Sequence, residues 1–295
     1  MAKARMRKAI NSPDIANIAG LNPLGGVGSI DGVRVYDVGQ GDAVAVMGRV
    51  GQLSEPVLNL DYGGRERHPF KPNQLVDTRM PVKAGQLLML SHWDEDHWCS
   101  GERGSLAQTA KWLVPRQLTS PKAVKFSAKV NDIQCIPEAL VGHARRFRAR
   151  NGDSIWWEKI GAFPGTFAKD EDCNKSGVAL AVVRRRGLRT EAILLPGDAP
   201  FDSVGIFRAL AQRGVLLRGV VAFHHGAGTH WTDATEKMIR DWPGATSLDI
   251  VFSCAQPSSY EHPDEPKYKA LRPHATYHHT GNARTNDVEY IDIPF

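Results

Sequence analysis

The segment Ser91-His-Trp-Asp-Glu-Asp-His97 sets His92, Asp94, Asp96 and His97 within six positions, directly after the apolar run Leu87 to Leu90. Two carboxylates and two imidazoles this close repel one another or lose solvation at several kcal/mol each, unless a divalent cation neutralises them. A lone Asp or His in such a place reads as part of a solvated acidic loop. Four metal-ligating side chains at this spacing, leaving a buried strand, read as a metal site. Three further strand ends carry residues of the same kind. LNLDYGG presents Asp61, AILLPGD presents Asp198, and VVAFHHG presents His224 and His225. Each stands at the C-terminal end of an apolar run, where side chains from separate strands converge. Taken singly, Asp61 passes for a cap on the turn at Gly63 and Gly64. The ordered set points to one centre.

The elements that must position these residues follow from hydrophobic periodicity. Val33, Val35, Val44 and Val46 alternate with their neighbours across the turn Gly39-Gln40-Gly41, the pattern of a β-hairpin. VLNLDYGG is a third strand and QLLMLS a fourth, and SGERGSLAQTAKWLV reads as loop and helix. Between residues 115 and 165 the stretch HARRFRAR (143–150) has basic helical character, and SIWWEKI is strand-like. SGVALAVVRR and EAILLPGD form two strands joined by a basic turn. FDSVGIFRALAQRG is an amphipathic helix, and RGVVAFHHG, LDIVFSCA and ATYHHTG are further strands. Two sheets, each with helices on its outer face, predict a four-layered αββα sandwich of the α/β class, one hydrolase domain over residues 31–295. Residues 1–30 lack periodicity and end in a Gly-rich run, so they read as a flexible lead-in.

The chain has 295 residues, 42% of them hydrophobic, which excludes collagen, coiled coil and disordered tail. No apolar run approaches the roughly 20 residues needed to cross a bilayer. The basic N-terminus is followed by NSPDIANIAG and not by an apolar segment with a small-residue cleavage site, so no secretory signal is read. Cys99, Cys135, Cys173 and Cys254 form no CxxC pair, which argues against a disulfide framework or a zinc ribbon. Together these features predict a cytoplasmic protein without membrane insertion. The net charge of +5, spread over the whole chain, is a weak pointer to an anionic partner.

The series LNLDYGG, SHWDEDH, LLPGD and AFHHG resembles the metallo-β-lactamase superfamily, whose usual second motif is HxHxDH; here Asp94 stands in place of the second His. With YDVGQGDA (36–43), NKSGVALAV (174–182), HHG (224–226) and YEHP (260–263), the chain looks most like the soluble hydrolase domain of ComEC-type DNA-uptake proteins, from about Val33 to the C-terminus. The resemblance implies that His92, Asp94, Asp96, His97, Asp198 and one of His224 or His225 ligate metal. His225 is favoured because it immediately precedes Gly226, and the other histidine would face substrate. Asp198 would bridge two ions, Asp61 would orient a ligand from behind, and Asp96, Asp198 and His225 would carry the catalysis. Asn174, Ser176, His230 and His262 are expected to contact substrate.

Two departures matter. The superfamily's third-motif histidine is absent, its place taken by Cys173-Asn-Lys-Ser176, and Ala227 and His230 stand where ComEC-type sequences carry serines, leaving Thr229 or His230 as substitutes. The oxygen-rich donor set tilts the expected cofactor toward two Mn²⁺ or Mg²⁺ ions, with Zn²⁺ also accommodated. Two such ions activate water and stabilise charge on phosphoryl oxygens, so a phosphodiesterase or nuclease acting on DNA or RNA is expected. The competing readings are a hydrolase of small esters, lactones or cyclic nucleotides, and a non-catalytic scaffold with a weakened metal site. Arg145–Arg150 and Arg184–Arg189 are basic clusters that could pair with phosphates. Trp98 is expected to pack inward, whereas Trp93 is equally suited to stacking on a base. Cys173 reads as a buried thiol or a soft ligand.

Overall fold

The computed structural model describes residues 8–64, 80, 82–102, 104–165, 173–228, 231–254, 262–283 and 289–295. Among them, β1 (Lys8–Ala9) pairs with β7 (Leu118–Thr119) in a short ribbon. One seven-stranded sheet is built from β2 (Ile30–Tyr36), β3 (Val44–Val50), β4 (Leu53–Leu60), β5 (Leu87–Met89), β6 (Lys111–Val114), β8 (Asp132–Cys135) and β16 (Tyr290–Pro294), in the order β16-β2-β3-β4-β5-β6-β8. The second contains β9 (Arg145–Arg148), β10 (Ser154–Lys159), β11 (Val178–Arg186), β12 (Arg189–Leu195), β13 (Leu216–Val221), β14 (Gly244–Phe252) and β15 (Thr276–His279), in the order β15-β14-β13-β12-β11-β10-β9. Both are mixed. β4, β5, β6 and β8 run parallel in one, and β12 to β15 run parallel in the other.

The period-two alternation of each strand divides its side chains between two cores. Along β11, Val178, Leu180 and Val182 enter the core between the sheets, and Ala179, Ala181 and Val183 enter the core on the outer face. That outer core receives Ile206, Phe207 and Leu210, Ile239 and Tyr268 from three helices. The other sheet behaves likewise. Leu87, Met89 and Leu113 face inward, and Leu88, Trp112 and Val114 face outward beneath Ala107, Ala123 and Phe126 of two short helices. Helix, sheet, sheet and helix thus form the expected αββα sandwich. No helix among the described residues is long and apolar enough to cross a membrane.

The structure corrects three local readings. HARRFRAR is not helical: Arg145–Arg148 is edge strand β9, with Phe147 in the inter-sheet core and the flanking arginines exposed, a period of two. The KWLV end of the predicted helical stretch is β6. The lead-in is packed from Ile10 onward, because Ile10, Ile15, Leu24 and Val27 bury their apolar side chains in the cores. Residues 1–7 lie outside the described range.

Candidate metal centre

The loops that follow β4, β5, β12, β13 and β14 meet at one end of the inter-sheet core. Asp61 follows β4 with φ 62, a left-handed conformation that turns its carboxylate under the β5 loop. There it accepts from the Ser91 amide at 2.6 Å and from the Ser91 hydroxyl at 2.7 Å. The chain then closes a 3-10 turn over Glu95–His97. Two Gly-rich loops hold that turn by its backbone: the Asp42 and Gly64 amides reach the Asp96 carbonyl at 3.2 and 3.3 Å, and the Tyr62 amide reaches the His97 carbonyl at 2.8 Å. The approach is too close for a side chain, since a Cβ on Gly63 would lie 1.7 Å from the Asp96 carbonyl oxygen.

Each central histidine is oriented through Nδ1. His97 Nδ1 donates to Asp61 Oδ2 at 2.8 Å and His225 Nδ1 to the Ser253 carbonyl at 2.9 Å. The Ser91 hydroxyl, already donating to Asp61, accepts from His92 Nδ1 at 3.0 Å. These bonds turn Nε2 of all three rings toward the same space. There His92 Nε2, His97 Nε2, His225 Nε2 and Asp198 Oδ1 are buried with no hydrogen-bond partner. Leaving such an atom unsatisfied costs about 1–3 kcal/mol, and four converging is what a cation site looks like before the cation is counted.

The separations agree. Asp198 Oδ1 lies 3.4 Å from His97 Nε2 and 3.8 Å from His225 Nε2. Asp198 Oδ2 lies 3.5 Å from His92 Nε2 and 3.7 Å from His224 Nε2. Asp96 reaches His225 Nε2 at 3.3 Å, and Asp94 reaches His92 Nε2 at 3.5 Å. Most of these distances are long for hydrogen bonds, yet ligands about 2.1 Å from a shared ion at tetrahedral angles stand roughly 3.4 Å apart. The triads His92, His97, Asp198 and Asp96, His97, His225 each bring three donor atoms within 4.8 Å of one another, so the residues present fit a divalent metal.

The electrostatics show the same demand for positive charge. Burial disfavours charge on His97 and His225, but Asp198, with Asp61 beside the first and Asp42 beside the second, holds both well above the usual imidazole range. Burial likewise opposes ionisation of Asp198, and His97, His225 and His92 overcome it, holding its carboxyl well below the usual range. His262 goes the other way: burial, then His225 and His224, push its ring down to about 4.

No family model and no curated protein matches the sequence. Among solved structures the chain is similar to Zn²⁺-bound PqqB from Methylobacterium extorquens, at 14% identity and a TM-score of 0.46, over 84% of this chain and 98% of that one. A diphosphatase from the PhnP family is similar at 9% identity and TM-score 0.42, over 83% and 94%. The metallo-β-lactamase SMB-1 bound to 2-mercaptoethanesulfonate is similar at 12% identity and TM-score 0.37, over 68% and 81%.

The structure gathers His92, Asp94, Asp96, His97, Asp198, His224 and His225, with Asp61 behind them. His262 joins the rim, its ring 5.6 Å from that of His224. His230 lies outside the described residues. Asn174 and Ser176 are 8% and 4% exposed, and the Ser176 hydroxyl accepts from Gln117 at 2.9 Å. Gln117 also bonds the Cys173 carbonyl and the Trp93 amide, so this polar cluster braces the metal loop. Cys173 is a buried thiol donating to the Leu118 carbonyl. Trp93 is 1% exposed and bonds the Pro115 carbonyl, which makes it a core residue like Trp98. Sequence reasoning missed Asp42, 3.9 Å from His97 Nδ1 and 3.6 Å from His225 Nδ1. The YDVGQGDA stretch that carries it reads as a hairpin turn and as part of the resemblance, with no role given to Asp42.

The Arg184–Arg189 cluster is not at the centre. The Val178 amide at the start of β11 donates to the Ser91 carbonyl, whereas Arg184–Arg189 lies at the opposite end of that nine-residue strand, about 26 Å away.

Proposed function

We propose that this chain is a cytoplasmic metal-dependent hydrolase that cleaves phosphodiester bonds, with nucleic acid as substrate. The reading rests on Asp198, whose two oxygens each face a separate set of buried His and Asp donors. Divalent ions held there would polarise a phosphoryl group and lower the pKa of an attacking water. Asp96 is 21% exposed, and although burial opposes its ionisation, His225 and His97 hold it as a carboxylate, so it would help to hold such an ion beside them. His262 is neutral at physiological pH on the rim, able to hydrogen-bond an oxygen of the substrate. The motif resemblance to ComEC-type hydrolase domains and the exposed arginines support a polynucleotide.

The test is a substrate panel. Purified protein is incubated with Mn²⁺ or Zn²⁺ and labelled single- and double-stranded DNA, RNA, a cyclic nucleotide and an ester series. Cleavage of a nucleic acid that chelator abolishes and added metal restores is the expected result. Turnover confined to esters or the cyclic nucleotide would replace the substrate, and metal binding without any turnover would leave a scaffold.

A further inference from the structure

Building on this metal-centre reading, we propose that His224 and His225 are both metal ligands and serve different ions, His224 supplying the nitrogen that the Cys173–Ser176 stretch does not. The two oxygens of Asp198 divide the site. Oδ1 faces His97 and His225, on the side where Asp96 stands 3.3 Å from His225 Nε2. Oδ2 faces His92 and His224, on the side where Asp94 stands 3.5 Å from His92 Nε2. Each oxygen of Asp198 therefore has two imidazoles within 3.8 Å, and on each side a further aspartate stands within 3.5 Å of one of them.

The backbone is bent to make this possible. His224 (φ 46, ψ 49) and His225 (φ 54, ψ 19) are consecutive left-handed residues, at a cost of about 1 kcal/mol each or more. The bend sets the two rings 6.1 Å apart at 65°, so that adjacent residues reach opposite oxygens of one carboxylate. The His224 amide donates to the Gly197 carbonyl at 3.1 Å, fixing the bend to the residue beside Asp198. The next residue must be glycine: Gly226 has φ 84, and a Cβ there would come within 2.6 Å of Phe252 and Pro263. Strain held in place by two such restraints marks a position kept for its side chains.

Metal content and calorimetry test this without reference to turnover. Stripped wild-type protein titrated with Zn²⁺ should take up two equivalents. His224→Asn, which tolerates the left-handed backbone but offers no imidazole, should retain one ion at wild-type affinity and bind the second at least about 100-fold more weakly. His225→Asn should lose the ion that His224→Asn keeps, and the pair should differ in the visible spectrum of the Co²⁺-loaded form. Thermal unfolding of the stripped variants, unchanged from wild type, verifies the fold. Two ions at wild-type affinity in His224→Asn, or loss of both, would overturn the assignment while leaving the metal reading intact. A wild-type protein that binds no ion would overturn the metal reading itself.

Discussion

Asp61 and Ser91 are joined twice, through the Ser91 amide to Oδ1 at 2.6 Å and the Ser91 hydroxyl to Oδ2 at 2.7 Å, and Oδ2 also accepts from His97 Nδ1 at 2.8 Å. One buried carboxylate thereby sets the orientation of His97 directly and of His92 through the serine. Asp61→Asn keeps the size and tolerates φ 62, but it cannot accept with both side-chain atoms. Metal affinity should fall about 10–100-fold with circular dichroism unchanged. Wild-type affinity in this variant would show that the histidines are oriented by other contacts.

Removing Asp198 should act on both halves of the centre at once. Asp198→Ala is expected to bind neither ion tightly and to lose hydrolysis, whereas Asp96→Ala should release only the ion beside His97 and His225. Elemental analysis of the two proteins, purified in parallel, decides the matter. Full activity in either would remove the metal centre from the mechanism.

Gly63→Ala probes how closely the loops fit. The new methyl would meet the Asp96 carbonyl oxygen at 1.7 Å and the Asp42 carbonyl oxygen at 2.7 Å. The metal loop must move away, at about 3 kcal/mol of stability, and metal uptake should fall with it. Gly51→Ala is the control: its φ of +62 is strained for alanine, but nothing stands within 4 Å. It should cost about 1 kcal/mol and leave metal binding untouched. Urea denaturation of stripped and loaded protein separates the two effects.

Much of this architecture was legible because its strands are regular. Alternation in β11 and the Asp or His endings of LNLD, LLPGD and AFHH follow from a period of two and from the rule that side chains at strand ends converge. β9 was misread because its inward alternation rests on Phe147 alone, among arginines whose long stems suit a helix surface equally well. Asp42 was hidden for a different reason: its role depends on the second sheet delivering His225 opposite the first, a tertiary relation with no local pattern. The division of labour between His224 and His225 depends on two positive φ angles, which histidine does not advertise.

Asp249 offers a stability test away from the centre. It accepts from Arg218 Nη1 and pairs with His278 Nε2 at 2.9 Å on the outer strands of the second sheet. Burial opposes its charge, but the His278 and Arg218 bonds hold its carboxyl below the usual range. A depressed folded-state value means the contribution is fully present above the unfolded value of about 3.9 and is lost as pH falls through the folded one. Asp249→Asn should therefore cost about 2 kcal/mol at neutral pH, and the gap to wild type should narrow below about pH 4. A gap independent of pH would assign the loss to packing.

The distance between the arginines and the centre predicts a dependence on substrate length. A strand crossing the roughly 26 Å from Ser91 to the β11–β12 turn needs about eight nucleotides at ~3.4 Å each. Arg186 donates to the Phe295 carbonyl at 2.6 Å and Arg184 lies over the Phe295 ring, so both brace the C-terminus. Arg185 and Arg189 are the exposed pair to change. In Arg185→Ser with Arg189→Ser, cleavage of a tetranucleotide should match wild type. KM for a 20-nucleotide strand should rise, and the salt dependence of its binding should lose about 0.7 in logarithmic slope for each phosphate contact removed. Equal effects on both lengths, or an unchanged slope, would place the nucleic-acid path elsewhere, with the β9 arginines Arg145, Arg146 and Arg148 the next surface to test by the same pair of substrates.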